Sequence, residues 1–257
     1  MPIGVEHSKY TMSLTLSKSR NHSFINTYDF CFLIKLMTLI ESEASKINYT
    51  VCMGKRKGDC PYCGCVDKYR WLWWVVQNKT NICDLDNKTN ILHFAPERGL
   101  RERIRDANPK SRYISGDIEK GKADEIIDMT RIPYPDESFD YIIASMVLEH
   151  ILDETQALNE LVRVIKKDGK ILLTVPVALK LDTTKDTILD NDFDRLKYYG
   201  EKDHVRLYGM DVERRWKKLI QKDVSITKWC PKDEIGEKQA SSMGVPLYYY
   251  VWCIERV

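Results

Sequence analysis

The chain has no strong excess of charge of either sign: 40 Lys and Arg against 38 Asp and Glu leave a net charge of +2. A nucleic-acid face usually shows as a basic excess, so this balance counts against such a partner and gives no argument for a membrane surface. No apolar run is long enough to span a bilayer. The longest, Phe30 to Ile40 (FCFLIKLMTLI), is about half the length needed and contains Lys35. The N-terminus shows neither a basic-then-apolar leader nor a small-residue cleavage site, so no secretory signal is read. There is also no glycine-rich loop of the kind that holds a pyrophosphate, although one strand-to-helix junction, ILHFAPERGL (residues 91–100), has its outline.

What is present is an ordinary globular composition over 257 residues, 43% apolar and 30% charged, enough to bury a sizeable core. Of eight cysteines, four cluster at Cys52, Cys60, Cys63 and Cys65. The CPYCG stretch resembles half of a zinc knuckle, and four thiolates would complete a structural zinc site. The spacing is awkward, so a metal-free hairpin stays open beside it. Cys31, Cys83, Cys230 and Cys253 sit among apolar neighbours, as buried free thiols do. Without a secretory signal the expected compartment is the reducing cytoplasm.

Residues 1–29 carry no hydrophobic period, and residues 30–46 read as an apolar helix that docks on something or pairs two subunits as a homodimer. YRWLWWVVQ reads as a short helix. The turn-rich DLDNKTN places a boundary between a helical, Cys-containing cap (1–85) and a second domain (86–257). From residue 90 the pattern alternates strands with helices, which predicts an α/β fold on a mostly parallel sheet. The expected strands are NILHFA, RYISGD, EIIDM, FDYIIASMV, ILLTVPV, VSITKW and LYYYVWCIE. Helices are expected over Gly99–Ala107, over Glu154–Lys167 with Gly169 as its C-terminal cap, and over DVERRWKKLIQK. Residues 179–209 show no period.

In such a sheet, ligands bind at the carboxyl ends of the strands where the order reverses. The turn at 95–99, Asp117, and the Ser145–His150 segment lie at such ends. An aspartate ending the second strand can accept from both hydroxyls of a ribose; an ordinary strand-end turn is the alternative.

The ordered run ILHFAPERGL, YISGDIEKGKADEIIDMTRIPYPDESFDYIIASMVLEHI and VIKKDGKILLTVP resembles the class I S-adenosylmethionine-dependent methyltransferases, closest to a bacterial subgroup with an HFAPE loop. The resemblance covers about residues 90–210. It implies a Rossmann-like seven-stranded sheet in the order 3-2-1-4-5-7-6, with S-adenosylmethionine as methyl donor and S-adenosylhomocysteine as product. It places His93, Ala95, Glu97 and Gly99 in the turn facing the methionine part of the cofactor, and Asp117 with Ile118 at the ribose. Asp128 and Met129 would border the adenine, and Ser145 and Met146 the methionine and donor methyl. The usual turn is Asp-x-Gly-x-Gly-x-Gly, and here its places hold His93, Ala95, Glu97 and Gly99. Pro96 removes an amide donor. The Glu97 carboxylate suits the cofactor's ammonium group and repels a phosphate, which argues against a dinucleotide.

The subgroup carries a similar Asp-His-Val-Arg stretch after its fifth strand, on the acceptor side. His204 is the candidate base, Asp203 would orient it, and Arg206 would hold an anionic group of the acceptor; internal hydrogen bonding is the competing reading. Tyr198, Tyr199 and Tyr208 are candidates to line the same pocket, and His150 of the LEH segment reads as a local hydrogen-bonding residue. The expected acceptor is a small molecule such as a sugar or anionic metabolite. An RNA methyltransferase and a non-catalytic cofactor-binding module are the rivals.

Overall fold

The structure is a computed structural model that describes residues 66–257. The expected leader, the docking or subunit-pairing helix, Cys31 and the cluster Cys52, Cys60, Cys63 and Cys65 lie outside the described residues. The first element is helix α1 (Asp67–Lys79), followed by β1 (Asn90–Phe94), α2 (Arg98–Ala107), β2 (Arg112–Asp117), β3 (Glu125–Ile126) and β4 (Phe139–Ser145). A single 3-10 turn (Leu148–His150) leads to α3 (Glu154–Val164) and β5 (Ile165–Thr174). Then come α4 (Asp192–Tyr199), α5 (Val212–Leu219), β6 (Val224–Trp229), α6 (Pro231–Met243) and β7 (Val251–Arg256).

The seven strands form one sheet in the order β3-β2-β1-β4-β5-β7-β6, the order the resemblance implies. β1 runs parallel to both β2 and β4, with Leu92 beside Ile114 and Ile142. β7 alone inserts antiparallel between β5 and β6. Because side chains alternate along a strand, β4 sends Ile142 to one face and Tyr141 and Ile143 to the other. On the second face Trp71, Leu72, Val75 and Val76 of α1 pack with Ile143, Leu172 and Ile104. These four side chains recur at one-and-four spacing, and each contributes roughly 1.5–3 kcal/mol on burial. On the first face Leu158 and Leu161 of α3 and Trp216 of α5 close over Ile142 and Leu173.

Three local expectations are corrected. Helix α3 stops at Val164, not Lys167, and KKDGK belongs to β5. The β-branched Ile165 favours strand backbone, and its pairing with Phe139 supplies the ladder. The register then jumps between the pairs Phe139–Ile165 and Tyr141–Lys170. Gly169 sits in that irregularity and not at a helix cap. A Cβ there would meet Ile165 Cγ1 at 2.7 Å and the Asp140 carbonyl oxygen at 2.9 Å. Gly169→Ala is therefore expected to lose about 1–3 kcal/mol of unfolding free energy in urea, the usual scale of overpacking.

Second, residues 179–209 contain helix α4. Asn191 Oδ1 accepts the Asp194 N–H at 2.8 Å, and Gly200 ends the helix at φ +88°. Third, a helix, α6, separates the last two strands. It opens on Pro231, breaks at Gly236 (φ +73°) and stops at Gly244 (φ +64°), a proline-first, glycine-last arrangement whose weak apolar period hid it. Among the described cysteines Cys230 and Cys253 are buried free thiols and Cys83 is a half-buried one. No helix among the described residues is long and apolar enough to cross a membrane.

Candidate functional site

The strand order reverses between β1 and β4, and a cleft of about 430 Å³ opens there, at the carboxyl ends of the strands. Its walls come from the turns after β1, β2 and β4. Two of these turns use left-handed backbone without glycine: Ala95 has φ +44° and Met146 φ +59°. Each donates its N–H one step beyond the ladder, Ala95 to Gly116 O at 2.8 Å and Met146 to Thr174 O at 2.9 Å, before the chain swings away. Non-glycine residues held at positive φ cost of order 1–3 kcal/mol and collect at binding sites. Here both line the cleft.

Of the residues expected at the site, Ala95, Asp117, Ile118, Asp128, Met129 and Met146 line the cleft, and Asp203 joins them from the far side. Asp117 Oδ1 accepts the Glu119 N–H at 2.8 Å, and Asp128 Oδ1 accepts from the Thr130 N–H and hydroxyl at 2.8 and 2.7 Å. Both carboxylates are thus held in place at their strand ends. Ile118 is 70% exposed beside them, an apolar surface suited to the face of a base.

Glu97 occupies the N-cap position of α2 but makes no capping hydrogen bond. Both its carboxylate oxygens are buried without a hydrogen-bond partner among the described residues. Among the described residues His93 Nε2 stands 3.3 Å from Oε2. His93 is fully buried, and its Nδ1 lies 2.7 Å from the Tyr113 hydroxyl. Burial raises the Tyr113 pKa strongly, so that hydroxyl stays protonated. His93 thus sits between the Tyr113 hydroxyl, hydrogen-bonded at Nδ1, and the Glu97 carboxylate, which Nε2 faces without a hydrogen bond. His93, the residue at an acidic position of the turn that the resemblance implies, is the side chain 3.3 Å from the Glu97 carboxylate. Tyr113 went unnoticed in the sequence because nothing marks a strand tyrosine as a partner of a residue twenty positions away. Gly99 lies in the first turn of α2. Ser145 is buried, and its Oγ accepts from Thr174 Oγ1 at 3.0 Å, which in turn accepts from the Tyr249 hydroxyl at 3.0 Å.

The acceptor-side candidates separate. His150 lines the cleft with Asp203, its Nδ1 3.3 Å from Asp203 Oδ2. His204 is buried behind it, with ring centroids 4.8 Å apart. The Tyr199 carbonyl, 3.0 Å from His204 Nδ1, can only accept, so Nδ1 carries the proton and Nε2 the lone pair. Burial lowers the His204 pKa, which keeps the ring neutral. Glu149, also absent from the expected set, is fully buried with both oxygens unpartnered, and burial pushes its pKa up to about 8. Arg206 does not reach the cleft. Its guanidinium donates to the carbonyls of Leu148 and Leu152 and lies 3.6 Å from Glu154. It borders a second cavity of about 620 Å³ that Arg195 and Arg215 also line. Tyr208 donates to Glu154 and Tyr199 to the Thr187 carbonyl, while Tyr198 is exposed; none of the three lines the cleft.

Residues 64–173 match the family described as "Methyltransferase domain". A Bacillus subtilis (strain 168) protein named "Uncharacterized methyltransferase YcgJ" is 35% identical over 75 residues, 29% of this chain and 28% of that protein. The solved structure of YcgJ superposes with a TM-score of 0.45 at 18% identity, covering 74% of this chain and 99% of that one. A Mycolicibacterium smegmatis protein named "Probable S-adenosylmethionine-dependent methyltransferase" is 30% identical over 84 residues, 33% of this chain and 30% of its own. An Arabidopsis thaliana protein named "tRNA (carboxymethyluridine(34)-5-O)-methyltransferase" is 35% identical over 89 residues, 30% of this chain and 22% of its own. The matches span less than a third of each of these curated relatives. Residues 64–173, rather less than half of the chain, are thus similar to the methyltransferase-domain family, and the cleft at the reversal point of the 3-2-1-4-5-7-6 sheet lies within that segment's strands.

Proposed function

We propose that this chain transfers a methyl group from S-adenosylmethionine to an oxygen or nitrogen of a small-molecule acceptor such as a sugar or anionic metabolite. The observation that carries the reading is Glu97. A buried carboxylate with no hydrogen-bond partner, beside His93 at the turn bordering the cleft, fits an ammonium group and would repel a phosphate. The donor set fits the whole cofactor in the same way: Asp117 for the ribose hydroxyls, Asp128 for the adenine amino group, Ile118 and Met129 for the faces of the base, and Ala95, Gly99, Ser145 and Met146 around the methionine part.

When bound, S-adenosylmethionine supplies an electrophilic methyl group on a sulfonium. The chain's own part is to hold the acceptor in line with it, which can supply most of the acceleration. His204 is the proposed base, and because His150 and Asp203 stand between its ring and the cleft, acceptor binding must displace His150 before the Nε2 lone pair takes the proton. Arg206 would hold an anionic part of the acceptor only by exchanging its contact with Glu154, because the second cavity carries Asp153, Glu154, Asp186 and Asp190 beside its three arginines. Three free thiols among the described residues fit a reducing compartment, the cytoplasm.

Calorimetric titration with S-adenosylhomocysteine is the first test; absence of binding heat at millimolar ligand overturns the proposal. Labelled methyl transfer from S-adenosylmethionine is then expected into a small-molecule extract and not into total RNA. Incorporation into RNA would favour a nucleic-acid acceptor like the one in the name of the Arabidopsis relative. In the same assay His204→Ala is expected to lower turnover about 10²- to 10⁴-fold with S-adenosylhomocysteine affinity unchanged. Unaltered turnover would remove His204 from the chemistry.

A further inference from the structure

His150 lines the cleft and Glu149 and His204 are buried, and one potential ligand atom from each of the three lies within 4.8 Å of the others. Two imidazoles and one carboxylate form the donor set that takes zinc, iron(II) or manganese(II) with coordination positions left open. Ligands about 2.1 Å from one ion stand roughly 3 to 3.5 Å apart, so side-chain rotations of about an ångström would close the trio around an ion.

Two independent observations point to a ligand here. Glu149 is fully buried and both its oxygens lack a hydrogen-bond partner among the described residues, a costly arrangement that a cation would relieve. Each imidazole also has its Nδ1 turned to an acceptor: His150 toward Asp203 Oδ2 at 3.3 Å, His204 toward the Tyr199 carbonyl at 3.0 Å. Metal-binding histidines use this arrangement, in which an outer acceptor fixes the tautomer and turns the lone pair of the other nitrogen to the ion.

We propose that Glu149, His150 and His204 bind a divalent transition-metal ion, with Asp203 orienting His150, at the edge of the methyl-donor cleft. The role of the ion rests on the reading of that cleft given above, and it deepens the part assigned to His204. In the ion-bound form the His204 lone pair holds the ion instead of taking a proton, and the ion lowers the pKa of a coordinated acceptor hydroxyl. An acceptor hydroxyl bound at an open position loses its proton to water. The oxygen lone pair forms the bond to the donor methyl, and the electron pair of the broken sulfur–carbon bond stays on sulfur. Charge and atoms balance with no oxidant or reductant.

Cobalt(II) titration of the metal-stripped full chain tests this without any cofactor. One equivalent is expected to give visible d–d bands without thiolate-to-cobalt charge transfer, and to do so equally in a Cys60→Ser, Cys63→Ser variant. Glu149→Gln and His150→Ala should each weaken cobalt binding by about a hundredfold or more, and Asp203→Asn by about ten- to hundredfold, the cost of losing an outer-shell partner. His150 is partly exposed, so its variant keeps the test informative where Glu149→Gln fails to fold. Cobalt spectra dominated by thiolate bands and unchanged in His150→Ala, or no binding outside the cysteines, would overturn the proposal. Titration with S-adenosylhomocysteine on the same samples reports the donor cleft separately: loss of that binding with the cobalt spectrum intact counts against the cofactor reading, and the reverse against the ion.

Discussion

Glu97→Gln is expected to raise the dissociation constant for S-adenosylhomocysteine about 30- to 150-fold, equivalent to roughly 2–3 kcal/mol, while the unliganded protein melts at the same temperature or higher. The two readouts have opposite signs because the carboxylate is buried with neither oxygen hydrogen-bonded among the described residues. In the unliganded state its charge is desolvated, with His93 Nε2 3.3 Å away, so an amide of the same shape removes a cost. In the bound state the charge would face the ligand's ammonium group, and the amide loses that attraction. A residue whose role was to hold up the fold would instead lower the melting temperature and leave affinity alone. Calorimetry paired with a thermal melt separates the two, and an unchanged dissociation constant would take Glu97 out of the cofactor site.

The largest expected loss of stability comes from Glu154→Ala, about 3–5 kcal/mol in urea unfolding. Glu154 is buried, and its Oε1 accepts from the Tyr208 hydroxyl at 2.7 Å and from Trp216 Nε1 at 2.8 Å. Its Oε2 accepts from Arg215 Nε at 2.7 Å and lies 3.6 Å from Arg206 Nε. Alanine leaves a hydroxyl, an indole N–H and part of two guanidinium groups in the interior without their acceptor. Against the usual 5–15 kcal/mol of total stability, that brings the protein close to unfolding. Glu154→Gln keeps an acceptor and is expected to lose less. A loss below about 1 kcal/mol in the alanine variant would mean that water enters and replaces the carboxylate.

Both experiments bear on residues of unequal visibility in the sequence. Glu97 stood out because a carboxylate in a nucleotide-binding turn contradicts phosphate chemistry. Glu154 did not, because an acidic residue opening a helix after an Asp cap is an ordinary surface pattern. Its partners, Tyr208, Arg215 and Trp216, lie 54 to 62 residues away. The same separation hides Glu149 from His204, and the Arg206 guanidinium from the Leu148 and Leu152 carbonyls that it holds.

The sheet and the places of its strands were determined by the sequence itself. Continuous apolar runs such as YIIAS have no stable alternative to a strand covered on both faces, and the helices between them dictate parallel pairing. Asp117, Asp128 and the turn at 95–99 were legible for the same reason: a strand end is a local event, fixed by where the apolar run stops. Helix α3 was overrun by three residues, and α4 and α6 were missed, because strand pairing and weakly apolar helix faces override local pattern. Only the tertiary structure decided which side chains meet across the cleft wall. It put His150, and not His204, at the surface of the cleft, turned Arg206 inward, and buried Glu149 against two imidazoles. Those meetings depend on how a 3-10 turn and a distant loop pack together, and the distances that result are not encoded in the spacing of either segment alone.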